Sequence, residues 1–96
     1  KGKAKKRERR LKSRPERRKK WLKLTWVVKA NGNDVLRRNG RTITAFRAPF
    51  GPAGYKYSVK LQSDEHPTYS NKVFPTKDEA KLGAFDVVDL AEMLSQ

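Results

Sequence analysis

The 96-residue chain has no cysteine and a single histidine, His66. Disulfide staples and thiolate metal sites are therefore excluded, and one imidazole supplies too few nitrogen ligands for a zinc site. A reducing compartment is compatible with that composition. Long hydrophobic runs are also missing: no stretch approaches the roughly 18 apolar residues of a membrane span, and the basic N-terminus lacks the apolar middle of a secretory signal. Catalysis has little to work with. There is no thiol nucleophile, the one histidine lies in a polar turn segment beside Pro67, where it is expected to be solvated, and no phosphate-binding glycine motif occurs. A non-enzyme is expected, without cofactor, metal or small-molecule substrate. Its expected location is intracellular (cytoplasm, nucleoid or nucleus), neither secreted nor membrane-bound. The chain opens on Lys1 rather than Met, as a fragment or a processed product would.

Acidic residues are scarce where basic ones are dense. Residues 1–23 carry 14 Lys and Arg against two acids, residues 24–60 seven against one, and residues 61–96 three against seven. The regional charges are thus +12, +6 and −4, in line with the net charge of +14. A basic front and an acidic back predict one surface facing a polyanion and another turned away from it. Residues 1–23 have too few apolar groups to offset the entropy of ordering them, so a basic tail is expected, mostly disordered or becoming helical on a ligand. Its candidate phosphate contacts are Lys5, Lys6, Arg7, Arg9, Arg10, Arg14, Arg17, Arg18, Lys19 and Lys20. The alternatives are a solvated localisation segment and, with only a short apolar face available, a membrane surface. Ser13 and Glu16 have capping-box spacing. A short helix from about Glu16 to Lys23 would carry Trp21, Leu22 and Leu24 as anchors, although Pro15 disfavours helical geometry at Arg14.

From residue 24 to residue 96 the texture is that of a single α+β domain. Thr25–Val28 and Arg41–Arg47 are β-prone, and Asn31-Gly32 and Asn39-Gly40 are tight-turn dipeptides, so hairpins are predicted. Pairing across Asn39-Gly40 would crowd Arg37, Arg38 and Arg41, which costs energy unless an anion neutralises them. Trp26 reads either as a core residue or as a stacking platform. Tyr55–Leu61 alternates strictly: Tyr55, Tyr57, Val59 and Leu61 form a core face, and Lys56, Ser58 and Lys60 the opposite one. Thr68–Phe74, with Lys72, is a further strand that Pro75 stops. Thr76 and Glu79 then open the best-marked element, a helix to about Leu94. Its predicted core stripe is Ala80, Ala84, Val87, Val88, Ala91 and Leu94, laid on the sheet. Leu82, Phe85 and Met93 fall off that stripe and either pack against Trp21 and Leu22 or form a patch for a protein partner.

The order strand, strand, strand, helix from Arg41 to Leu94 resembles the plant ethylene-response-factor (APETALA-type) DNA-binding domain and the amino-terminal arm-binding domain of tyrosine integrases. Phe46-Arg47, Lys56–Leu61, Phe74–Ala80 and Ala84–Asp86 carry the likeness. It implies a three-stranded antiparallel sheet, with a possible extra N-terminal hairpin, backed by one C-terminal helix. It also implies DNA contacts from Arg47, Lys56, Ser58 and Lys60, and a role in transcription regulation or integration. The segment Thr76–Ala84 is similar to the second-helix opening of double-stranded-RNA-binding domains, with Lys77 and Lys81 in place of a phosphate-gripping cluster. The expected function is binding of nucleic acid, DNA ahead of RNA, with the sheet's outer face on the duplex. The candidate residues there are Arg37, Arg38, Arg41, Arg47, Lys56, Ser58, Lys60 and Lys72. The alternative is an RNA-binding or ribonucleoprotein assembly module, anchored to RNA by its tail and to a protein by Leu82, Phe85 and Met93.

Overall fold

A computed structural model describes Arg9 and residues 11–94 of the chain. Helix α1 (Arg14–Leu22) precedes five strands, β1 (Val27–Val28), β2 (Asp34–Arg38), β3 (Arg41–Arg47), β4 (Tyr55–Leu61) and β5 (Thr68–Tyr69), and helix α2 (Lys77–Leu94) closes the order. The strands form one antiparallel sheet in sequence order. An α+β architecture with a C-terminal helix on an antiparallel sheet is therefore the fold, as the residue pattern predicts.

The turn at Asn39-Gly40 explains the tightest hairpin. Both residues have positive φ, 50° and 74°, the backbone of a type I′ turn, whose twist matches that of the strands it joins. It fixes the register that sets Arg38 opposite Arg41 and Leu36 opposite Ile43. The three long strands are β2, β3 and β4. The expected strand from Thr68 to Phe74 is shorter, because the Ser70 hydroxyl accepts from the Tyr57 amide at 3.2 Å and donates to the Lys72 carbonyl at 3.0 Å. That pulls the chain out of the ladder after Tyr69, and pairing resumes only as an isolated bridge between Phe74 and Tyr55.

Opposed residues of an antiparallel pair lie on the same face. The rows Leu36, Ile43, Val59 and Asp34, Ala45, Tyr57 therefore define the inner face. Helix α2 lies on it through Ala80 and Ala84, both without exposed surface, and through Phe85 and Val88. Small side chains allow the close approach. Gly83 extends the same logic, since a Cβ there would stand 2.6 Å from Phe74 Cζ and 3.1 Å from Tyr57 Cε2.

The buried sector of α2 differs from the predicted stripe. Ala80, Ala84 and Val88 are buried as expected, but Val87, Ala91 and Leu94 are exposed, and the burial continues through Lys81, Phe85, Asp89 and Met93. The reason is α1, which packs along that flank and covers what the sheet does not. Trp21 is 4% exposed. Its ring meets Phe85 edge-on at 5.4 Å and Trp26 at 5.8 Å. Its Nε1 donates to the Lys81 carbonyl at 2.8 Å, and the Trp26 Nε1 donates to the Trp21 carbonyl at 2.9 Å. Phe85 and Met93 are thus buried, and Leu82 shares a groove with Leu11 and Leu22. Phe85 and Met93 therefore pack internally, while Leu82 remains half-buried at the groove.

Helix α1 begins at Arg14 with Pro15 in its first turn, the position a proline tolerates because its missing N–H has no intrahelical partner there anyway. Ser13 is the N-cap but gives no side-chain cap; its hydroxyl accepts from Arg17 Nε at 2.9 Å instead. The domain thus reaches back across residues 23 and 24, the expected end of the tail, and includes α1.

Candidate nucleic-acid interface

Two populations of cations result from this architecture. The first is paired within the protein. Asp89 on α2, 2% exposed, takes Arg17 at 2.6 Å and Arg14 at 3.3 Å, and Asp86 takes Arg18 at 2.5 Å. Three of the expected tail contacts therefore bind carboxylates of the acidic C-terminal third. A second cluster lies under β2. Asp34 is bonded by Lys81 at 2.6 Å and by Lys77 at 3.1 Å, Lys77 also donates to the Gly32 carbonyl, and the Lys81 ammonium stands 4.7 Å from the Trp26 ring centre. Burial alone would raise the Asp34 pKa; the hydrogen bonds and charges of Lys81 and Lys77 outweigh it, and the carboxyl is held below its ordinary value. Burial likewise raises the Tyr57 phenol, with help from the charge of Asp86.

The second population lies on the outer face of the sheet. Register places Arg37, Thr42 and Lys60 in one row, Val35, Thr44 and Ser58 in the next, and Phe46 with Lys56 in the third. No acid occurs among these residues, because the one acid of the three strands, Asp34, is on the inner face. Among the described residues, Arg37, Lys56 and Lys60 have no ion-pair partner.

The remaining candidates disperse. Arg38 and Arg41 have inner-face parity. Arg41 stands 3.6 Å from Glu92, and Arg38 lines a 270 Å³ cavity between α1, α2 and the sheet, together with Lys20. At the hairpin end, however, Arg37, Arg38, Arg41 and Lys60 all border one shallow depression of about 400 Å³ beside Gly40. The crowding expected across Asn39-Gly40 is therefore real, and part of it faces solvent. Arg47 opposes Tyr55, not Lys56, so it emerges at the strand end on the other side of the sheet from Lys56 and Lys60. The alternation of Ile43, Ala45 and Arg47 already implies this parity. Ser58 is only 9% exposed. Lys72 is outside any strand, with its ammonium 5.7 Å from the Phe74 ring centre. Lys19 is exposed on α1, and Arg9 is exposed ahead of it. Lys5, Lys6, Arg7 and Arg10 lie outside the described residues.

Sequence reasoning overlooks a second feature of the outer face, the edge-to-face pair of Phe46 and Tyr69. The outward parity of Phe46, shared with Lys56, is the available signal. Among the described residues no group of three His, Cys, Asp or Glu side chains is placed to hold a metal ion, and no helix is long and apolar enough to cross a membrane. No protein-family model, curated protein or solved structure matches the chain.

Proposed function

We propose that this protein binds nucleic acid, DNA ahead of RNA, through the outer face of its sheet. The observation that carries this reading is a sheet face on which Arg37, Lys56 and Lys60 stand without an acid. A duplex laid there meets these cations with its phosphates, and the hairpin-end depression, where Arg38 borders Arg37 and Lys60, extends the contact. The helix side is the poorer candidate. Lys77 and Lys81 are committed to Asp34, and Asp78, Glu79 and Asp86 would repel phosphate. That favours the sheet-side mode of the ethylene-response-factor and integrase domains over the helix-side mode of double-stranded-RNA-binding domains. An intracellular location goes with such a ligand. The assembly alternative has less support, because two of its three partner contacts, Phe85 and Met93, are buried.

Counterion release sets the test. If the face and the preceding basic residues neutralise several phosphates, log affinity falls by about 0.9 per phosphate for each log unit of salt on duplex DNA. Titrating labelled duplex DNA and duplex RNA at two salt concentrations should give a steep slope. Removal of residues 1–8, which leaves α1 whole, should flatten it. A salt-independent affinity would rule out phosphate recognition.

A further inference from the structure

The outer face carries two aromatic rings that charge does not explain. Phe46 on β3 and Tyr69 on β5 flank β4, and their rings meet edge-on at 6.0 Å with planes at 89°. Ser58, opposite Tyr69 in register and two residues from the partner of Phe46, occupies the strand between them. Its small side chain leaves the rings room to meet, and its burial follows from their position. Tyr69 nevertheless keeps 57% of its surface exposed.

An exposed aromatic ring pair at the β5 edge of an acid-free, cationic sheet face combines two kinds of recognition. Aromatic rings stack on base faces without regard to sequence, and flanking lysines and arginines take the backbone. An intact duplex presents base edges and phosphates but no free base face to such a ring. Charge complementarity selects a polyanion over an apolar protein segment, since Lys56 is directly beside Phe46, and Lys60 with Arg37 forms the row on the far side of Ser58. Resting on the sheet-side binding proposed above, we infer that Phe46 and Tyr69 form a stacking step for an unpaired base. The face then takes single-stranded nucleic acid, or a duplex at an unpaired base, in preference to intact duplex.

The test compares a 12-nucleotide DNA strand with the duplex of the same sequence by fluorescence anisotropy at one salt concentration. Wild type should bind the strand more tightly. Tyr69→Ala should weaken strand binding about tenfold, within the range for loss of one stacked base, and leave duplex binding within about twofold. Tyr69→Phe should retain strand binding, and Phe46→Leu, which keeps apolar cover over Ser58, should lose it as Tyr69→Ala does. Equal losses on strand and duplex, or no loss on either, would overturn the stacking step while leaving phosphate binding by the sheet intact. Absence of binding to both ligands by wild type would overturn the sheet-side reading itself, and the stacking step with it.

Discussion

The arginines of α1 and the cations of the outer sheet face contribute alike to the formal charge of +14, yet they do different work. Arg14, Arg17 and Arg18 are bound to Asp86 and Asp89, and they fasten one helix to another. Arg37, Lys56 and Lys60 are attached to strands whose hydrogen bonds already hold them, so their charges are spare. Charge density along a sequence therefore does not locate a polyanion site. The relevant quantity is the number of cations left over once buried carboxylates have taken theirs, because a buried carboxylate without its partner costs several kcal/mol.

The largest effect should come from turning the first population into the second. Asp89→Ala leaves Arg14 and Arg17 facing a partly buried gap, and about 3 kcal/mol of stability should be lost. Urea unfolding would read this as a lower midpoint. If the native state survives, binding to duplex DNA at low salt should also strengthen, because paired arginines become available. Unchanged stability would show that the Asp89 pairings contribute nothing to holding α1.

A smaller effect is expected from removing the second population. Replacing Arg37, Lys56 and Lys60 together by Gln should lower duplex affinity about tenfold, or ~1.4 kcal/mol. The salt slope should shrink by about 0.9 for each phosphate that is no longer neutralised. The melting temperature should hardly move, since exposed substitutions outside packed or bonded sites usually stay within about 0.5 kcal/mol each. A large drop in melting temperature would mean that these cations have a structural role after all.

The smallest effect concerns acid. The folded-state pKa of Asp34 is depressed, so its contribution to stability is fully present above the ordinary value of 3.8 and is lost as pH falls through the lowered one. Asp34→Asn should flatten that part of the acid-unfolding curve and leave neutral-pH binding of DNA unchanged. A variant with the wild-type acid profile would exclude the Lys77 and Lys81 pairing as its source.

Local features are the most legible from residues alone. Asn39-Gly40 announces its hairpin because asparagine and glycine tolerate the positive φ that a type I′ turn needs at both positions, and Thr76 with Glu79 announces α2; the Thr76 hydroxyl does accept from the Glu79 amide at 3.1 Å. Long-range pairing is not legible. Nothing near Arg17 in the chain indicates that Asp89 will meet it, and periodicity misplaces the α2 stripe because its second covering element lies some 60 residues away. Errors of parity have another origin. The family resemblance groups Arg47 with Lys56, whereas the count from Ile43 assigns it to the other face. Tyr69 gives no sign of its importance because its meaning depends on a ring across β4.

The span of the α1 contacts also bears on the order of events during synthesis. Trp21 and the carbonyl it bonds are 60 residues apart, and Arg17 and Asp89 are 72 apart, so α1 must wait for α2, which is made later. Until α2 has left the ribosome, Asp86 and Asp89 are not there to take Arg14, Arg17 and Arg18. Contacts of such long sequence separation form late, while the β2–β3 hairpin closes on itself within microseconds. Before α2 emerges, the nascent chain therefore presents more cationic surface to any polyanion than the folded domain does, and the arrival of α2 draws three arginines inward.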